Sequence, residues 1–65
     1  MLWTPEKIRA LRERLGLTQQ ALAVRLGIAV TAISRWENGK HTPSPMACKS
    51  LDDLAAKSKG ESNND

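Results

Sequence analysis

The sequence of 65 residues contains few groups that could crosslink the chain or hold a metal ion. Its one cysteine, Cys48, excludes an intramolecular disulfide. Its one histidine, His41, does not combine with that cysteine into a set of ligands with zinc-site spacing. We therefore expect no metal and no cofactor, and a fold stabilised by packing or by a partner chain.

Long apolar segments are also missing. The chain has no run of eighteen apolar residues, no signal-peptide pattern and no lipidation motif. We therefore expect a soluble cytoplasmic protein without membrane contact. A chain of this length has room for one small domain with a modest core.

The residue types of an enzyme active site do not occur in a useful arrangement. Paired carboxylates, a nucleophile beside a base, and a glycine-rich phosphate loop cannot be assembled from this sequence. An enzyme is the least favoured class, and we predict no catalytic residue.

Charge is present in moderate amount but is unevenly distributed. The ten Lys and Arg residues and seven Asp and Glu residues give a net charge of +3. Eight of the cationic residues but only three of the acidic ones lie in residues 1–49, which carry +5, whereas residues 50–65 carry −2. A basic region of this kind fits an anionic partner such as nucleic acid, although small bacterial domains are often mildly basic without a specific reason.

Helical spacing of apolar residues and the positions of capping residues predict four helices. Thr4-Pro5 and Ser44-Pro45 each place a capping residue before a proline at the first helical position. Thr18 caps another helix, which Gly27 ends. The predicted helices span about 5–15, 18–26, 29–38 and 44–57.

The composition changes after residue 57. Residues 58–65 contain no apolar side chain, so we expect a disordered polar tail. Residues 1–57 would form the domain. No strand pattern, internal repeat or coiled-coil heptad is present.

The stretch from Leu17 to Gly39 has the most specific pattern. It reads L-T-Q-Q-A-L-A-V-R-L-G and, four residues later, A-I-S-R-W-E-N-G. Its apolar residues have helical spacing on both sides of Gly27, which predicts two helices joined by a turn too tight for them to lie antiparallel. This motif resembles the phage repressor and Cro-like, or XRE-like, family of helix-turn-helix proteins, over about residues 8–54.

The resemblance implies an all-α, lambda-repressor-like DNA-binding domain of four helices, with five as the alternative because many relatives carry a fifth. In this family the third helix enters the DNA major groove and the start of the second lies against a phosphate. The implied base-facing residues are Val30, Thr31, Ser34 and Arg35. The implied phosphate contacts are Gln19, Asn38, Lys40 and His41, although His41 is equally well interpreted as a solvated loop residue.

Two positions depart from the family pattern. Ala29 stands where relatives usually have Ser or Thr, so the third helix lacks a side-chain N-cap, a loss of about 0.5–2 kcal/mol. Val30 is apolar where relatives offer a polar base reader, and it could contact only a thymine methyl group.

Several further residues have more than one interpretation. On spacing alone Arg12 and Glu37 would be unrelated surface charges, but the resemblance implies a partly buried structural ion pair. Trp36 has the helical register of a core residue rather than of a base-stacking platform, and Cys48 is interpreted as a small core residue rather than a reactive thiol. Trp3 could pack on the first helix, on the fourth helix, or in a dimer contact.

Two functions follow from these patterns. The first is a bacterial or phage transcriptional regulator that binds double-stranded DNA at a palindromic operator as a homodimer. Repression is favoured over activation. The second is a protein-binding module such as an antitoxin bound to its toxin, suggested by the apolar Ala29 and Val30. The two are compatible, because antitoxins of this fold generally repress their own operons.

Overall fold

The computed structural model describes the backbone of residues 3–61 and the side chains of residues 3–57. These residues form four α-helices and no β-strand, which confirms the predicted all-α domain. None of the described helices combines the length and the hydropathy needed to cross a bilayer. The helices are α1 (Pro5–Arg14), α2 (Gln19–Leu26), α3 (Val30–Glu37) and α4 (Pro45–Glu61).

Side-chain caps begin three of the four helices. The Thr4 hydroxyl accepts a hydrogen bond from the Lys7 amide (3.2 Å), and the Thr18 hydroxyl accepts one from the Ala21 amide (3.0 Å). Ser44 accepts in the same way at the start of α4. The α3 helix is the exception, because Ala29 occupies the cap position and offers no side-chain acceptor. Each cap satisfies one of the backbone donors that a helix start leaves free.

The turn between α2 and α3 depends on Gly27. This residue has φ +71°, the left-handed conformation that glycine adopts at little cost. Its amide donates to the Val24 carbonyl, and the Ile28 amide donates to the Ala23 carbonyl at 3.0 Å. These two bonds close the end of α2 in a Schellman motif, so the chain changes direction within three residues and α3 begins at once.

The core receives one fully buried side chain from each helix: Ile8, Leu22, Ile33 and Leu51. Ala23 on α2 is also buried, and its small side chain permits close approach of a packed helix. Trp36 is also buried, which confirms its interpretation as a core residue. Cys48 is half-buried and packs against this core, with its thiol 3.7 Å from the Pro43 carbonyl oxygen.

Trp3 joins the segment before α1 to α4. Its side chain is buried within the core cluster. Its indole Nε1–H donates to Oδ1 of Asp52 at 2.8 Å. Contact with the fourth helix, one of the placements left open by the sequence, is therefore observed.

The fourth helix differs from its predicted extent. It continues to Glu61, four residues beyond the expected end at residue 57, so residues 58–61 of the expected disordered tail are helical. The prediction of disorder rested on the lack of apolar residues, but backbone hydrogen bonds of a helix do not require packing, and no proline interrupts this segment. The rest of that tail, residues 62–65, lies outside the described residues.

Candidate nucleic-acid interface

The outer face of α3 carries polar side chains at successive helical turns. Thr31 and Arg35 are four residues apart and exposed, and Ser34 lies between them, half-buried. Residues three and four apart share one face of a helix, so the three form a continuous hydrogen-bonding surface. The opposite face holds the buried Ile33 and Trp36, which fix the orientation of this surface relative to the core.

Val30 is placed differently from the other three residues predicted to face bases. It is half-buried and packs against the core cluster. It is separated by three residues from Ile33 and by seven from Glu37, both buried, so it lies at the edge of the inward face of α3. The sequence pattern did not predict the partial burial of Val30, because an apolar residue in the first turn is compatible with either the buried or the exposed face of a helix. Only part of the Val30 side chain is available to a ligand.

The turn after α3 is joined to the helix by backbone hydrogen bonds. The Lys40 amide donates to the Arg35 carbonyl at 2.9 Å, and the Gly39 amide donates to the Trp36 carbonyl at 3.2 Å, with Gly39 at φ +74°. This is again a Schellman motif. Asn38, Lys40 and His41, the predicted phosphate contacts of this turn, are all exposed. The three side chains therefore project from a backbone whose position is set by the end of α3.

Gln19, the fourth predicted phosphate contact, is the first residue of α2 and is half-buried. Its side-chain Nε2 donates to Oε1 of Glu37 at 3.1 Å. The structure therefore brings Gln19 to the end of α3, an intramolecular contact that spacing alone did not predict. The amide has a second N–H, which this hydrogen bond leaves available.

Glu37 is the centre of a buried polar network. Its residue is only 4% exposed, and its carboxylate accepts two hydrogen bonds from Arg12, Nε to Oε2 at 2.7 Å and Nη2 to Oε1 at 3.0 Å. Arg12 also donates from Nη1 to the Leu17 carbonyl at 3.1 Å. The structure thus brings Arg12 and Glu37 together in a bidentate ion pair, which is the strongest arrangement of an arginine and a carboxylate.

Both members of this pair are held in their charged forms. Burial opposes ionisation of Glu37, but the hydrogen bonds from Arg12 and Gln19 and the positive charges of Arg12 and Arg9 outweigh it and lower the pKa of the Glu37 carboxyl. The hydrogen bond to Glu37, opposed by burial, raises the pKa of Arg12. The network therefore contains one carboxylate and two guanidinium groups at neutral pH.

Arg9 also belongs to this network, although the sequence patterns assigned it no role. Its Nη2 donates to the backbone carbonyl of Glu37 at 3.1 Å, and its Nε lies 3.8 Å from Glu37 Oε1. Arg9 and Arg12 are three residues apart and share a face of α1. That spacing was the available signal, but a second arginine beside an ion pair is equally typical of a solvated surface.

Comparison with known proteins places these features in a family. Residues 8–58 match the sequence model of a protein family described as Helix-turn-helix. The HTH-type transcriptional activator BcrR of Enterococcus faecalis is 44% identical over 46 residues, which cover 71% of this chain and 22% of that protein. The HTH-type transcriptional repressor RghR of Bacillus subtilis (strain 168) is 47% identical over 47 residues, which cover 71% of this chain and 35% of that protein.

The chain spans about a third or less of the length of these two relatives. The family match nevertheless covers most of α1, all of α2 and α3, the turns after them, and α4 through residue 58. It agrees with the geometry of two helices joined at Gly27 and an exposed polar face on the second of them. The chain belongs to the XRE-like helix-turn-helix family of DNA-binding transcription regulators.

Proposed function

We propose that this chain recognises a palindromic operator as a homodimer and represses transcription there, with α3 in the major groove. The observation that carries this proposal is the polar face of α3, exposed at Thr31 and Arg35 and backed by the buried Ile33 and Trp36. A helix braced in this way presents its side chains at fixed positions, which base recognition requires.

Within this proposal, Arg35 is the principal base reader. A guanidinium group can donate two hydrogen bonds to guanine O6 and N7, and Arg35 is exposed on the outer face of α3. Thr31 and Ser34 would contact neighbouring base edges, and Val30 would add at most an apolar contact with its exposed part. Gln19 and the turn residues Asn38, Lys40 and His41 would hold phosphates on either side and so set the register of the helix.

Selection from a pool of random duplexes tests the proposal. We expect the bound sequences to converge on a palindrome whose half-sites are centred about one turn of DNA apart. The selected duplex should bind about a thousandfold or more tightly than a scrambled duplex of the same composition at the same salt concentration. A pool that shows no enrichment after repeated selection would contradict sequence-specific binding.

Substitutions then separate base contacts from phosphate contacts. Arg35→Ala should reduce the discrimination between the selected duplex and one with a single changed base pair by about 1–3 kcal/mol. Gln19→Ala should weaken binding to all duplexes alike. Equal loss of affinity for every duplex in both variants would refute the role of Arg35 in reading sequence. Sedimentation of the protein with and without the duplex would test whether it forms a homodimer.

We also propose, as a second function compatible with the first, binding of a partner protein such as a toxin. The observation that favours it is Val24, an apolar residue on α2 that is 71% exposed. Where a small reading frame lies beside the gene, co-expression with its product tests this function. A stable complex that Val24→Lys disrupts would support it, and failure of the two proteins to co-purify would remove it.

A further inference from the structure

Arg9 reaches solvent from a position beside the end of α3. Its side chain is 48% exposed, whereas the side chain of Glu37, which it contacts, is 3% exposed. One N–H at Nη2 donates to the Glu37 carbonyl oxygen at 3.1 Å. A guanidinium group has five N–H donors, so most of those on Arg9 are left for another acceptor.

The charges of the network leave an excess of positive charge on Arg9. The carboxylate of Glu37 is engaged by Arg12 through two hydrogen bonds of 2.7 and 3.0 Å, while its distance to Arg9 Nε is 3.8 Å. Two guanidinium groups and one carboxylate sum to a single positive charge. Because the Arg12 side chain is only 18% exposed, the net positive charge is exposed to solvent mainly at Arg9.

Through Glu37, Arg9 lies next to both elements proposed to contact the DNA backbone. The Glu37 carboxylate also holds the Gln19 amide, at the start of α2. The Glu37 carbonyl that Arg9 binds belongs to the peptide group joining Glu37 to Asn38, the first residue of the turn after α3. A cation between two sets of phosphate-binding groups fits the DNA backbone, because a planar guanidinium can donate two parallel hydrogen bonds to one phosphate.

We propose that Arg9 is a further DNA-backbone contact, a guanidinium on α1 that binds a phosphate beside those held by Gln19 and by the turn after α3. This inference rests on the proposed DNA binding and extends it from the two helices of the motif to α1. Glu37 is the positioning residue in this arrangement, since its carbonyl orients Arg9 and its carboxylate orients Gln19.

The salt dependence of DNA affinity tests the proposal, because each phosphate contact contributes about 0.9 to the slope of log affinity against log salt concentration. Arg9→Gln removes the charge but keeps an N–H donor for the Glu37 carbonyl. Arg14→Gln is the matched control, because it removes the same charge from the same helix at a residue that lines the groove between α1 and α4. Arg9→Lys keeps the charge at the tested position.

Fluorescence anisotropy with a random-sequence duplex avoids any need to know the operator. We expect the slope to fall by about 0.9 in Arg9→Gln, so that the affinity ratio of wild type to variant shrinks about threefold between about 50 and about 200 mM salt. Arg14→Gln and Arg9→Lys should keep the wild-type slope. Thermal melts of each variant ensure that folded proteins are compared at the assay temperature.

The outcomes separate this inference from the proposed function. Equal effects of Arg9→Gln and Arg14→Gln would show that Arg9 acts only through net charge, and they would overturn the inference while leaving DNA binding intact. An unchanged slope in Arg9→Gln would overturn it in the same way. Failure of the wild-type chain to bind any duplex would overturn the proposed function together with the inference.

Discussion

Replacing Glu37 by alanine should unfold much of the population at moderate temperature. The substitution leaves the Arg12 guanidinium, 18% exposed, without the two acceptors that it binds at 2.7 and 3.0 Å, and it removes the acceptor of the Gln19 amide. Removing one member of a buried ion pair costs about 3–5 kcal/mol. A domain of 65 residues has a free energy of unfolding of only about 3–10 kcal/mol.

The assay is thermal unfolding followed by far-ultraviolet circular dichroism. At about 4–8 °C per kcal/mol for a domain of this size, Glu37→Ala should lower the melting temperature by about 12 °C or more. Asp53→Ala is the matched control, because it removes the same charge from an exposed position on α4 and should change stability by about 0.5 kcal/mol or less.

A double variant tests the physical reason for the loss. If most of the cost comes from the stranded guanidinium, Arg12→Ala combined with Glu37→Ala should cost less than the sum of the single substitutions by about 0.5–3 kcal/mol. A melting temperature of Glu37→Ala that equals that of Asp53→Ala would show that the ion pair contributes little to the fold.

Three further predictions concern stability. Because the pKa of Glu37 is lowered in the folded state, its stabilising effect is complete above the unfolded pKa of about 4.3 and is lost as the pH falls through the lower folded pKa; the melting temperature of the wild type should therefore fall more steeply in acid than that of Glu37→Gln, and parallel curves would contradict this. Ala29→Ser supplies the missing cap of α3 and should stabilise the domain by about 0.5–2 kcal/mol in urea unfolding, with Ala29→Val as a control that should give no gain. Trp3→Phe keeps most of the apolar area but removes the 2.8 Å hydrogen bond to Asp52, and it should cost about 0.5–1.5 kcal/mol or more in the same experiment, whereas an unchanged midpoint would show that this bond does not stabilise the fold.

Helix starts could be predicted from the sequence because their causes are local. The hydroxyl groups of Thr4, Thr18 and Ser44 each bind an amide three residues later, so a short segment contains the whole interaction. The turn at Gly27 is local in the same sense, since its two hydrogen bonds reach back three and five residues. The end of α4 had no such local signal, which is why it lies four residues beyond the prediction.

Contacts between distant residues were harder to predict. The hydrogen bond from Trp3 to Asp52 spans 49 residues, and no periodicity within α1 or α4 points to it. The family resemblance implied the pairing of Arg12 with Glu37, whereas spacing alone did not. Neither the resemblance nor the spacing gave a reason to expect Arg9 and Gln19 at the same residue. The motif therefore indicated which residues to consider for the candidate interface, whereas the hydrogen bonds among them became visible only in the packed structure.

Amide NMR spectra recorded during titration with the selected duplex test most directly whether α3 and its flanking turns form the DNA-binding face. We expect the largest shifts at Thr31, Ser34 and Arg35, and smaller ones at Gln19 and at residues 38–41. Residues lining the groove between α1 and α4, such as Ala10 and Ala55, should shift little. Shifts concentrated in that groove, with α3 unaffected, would show that α3 is not the DNA-binding face.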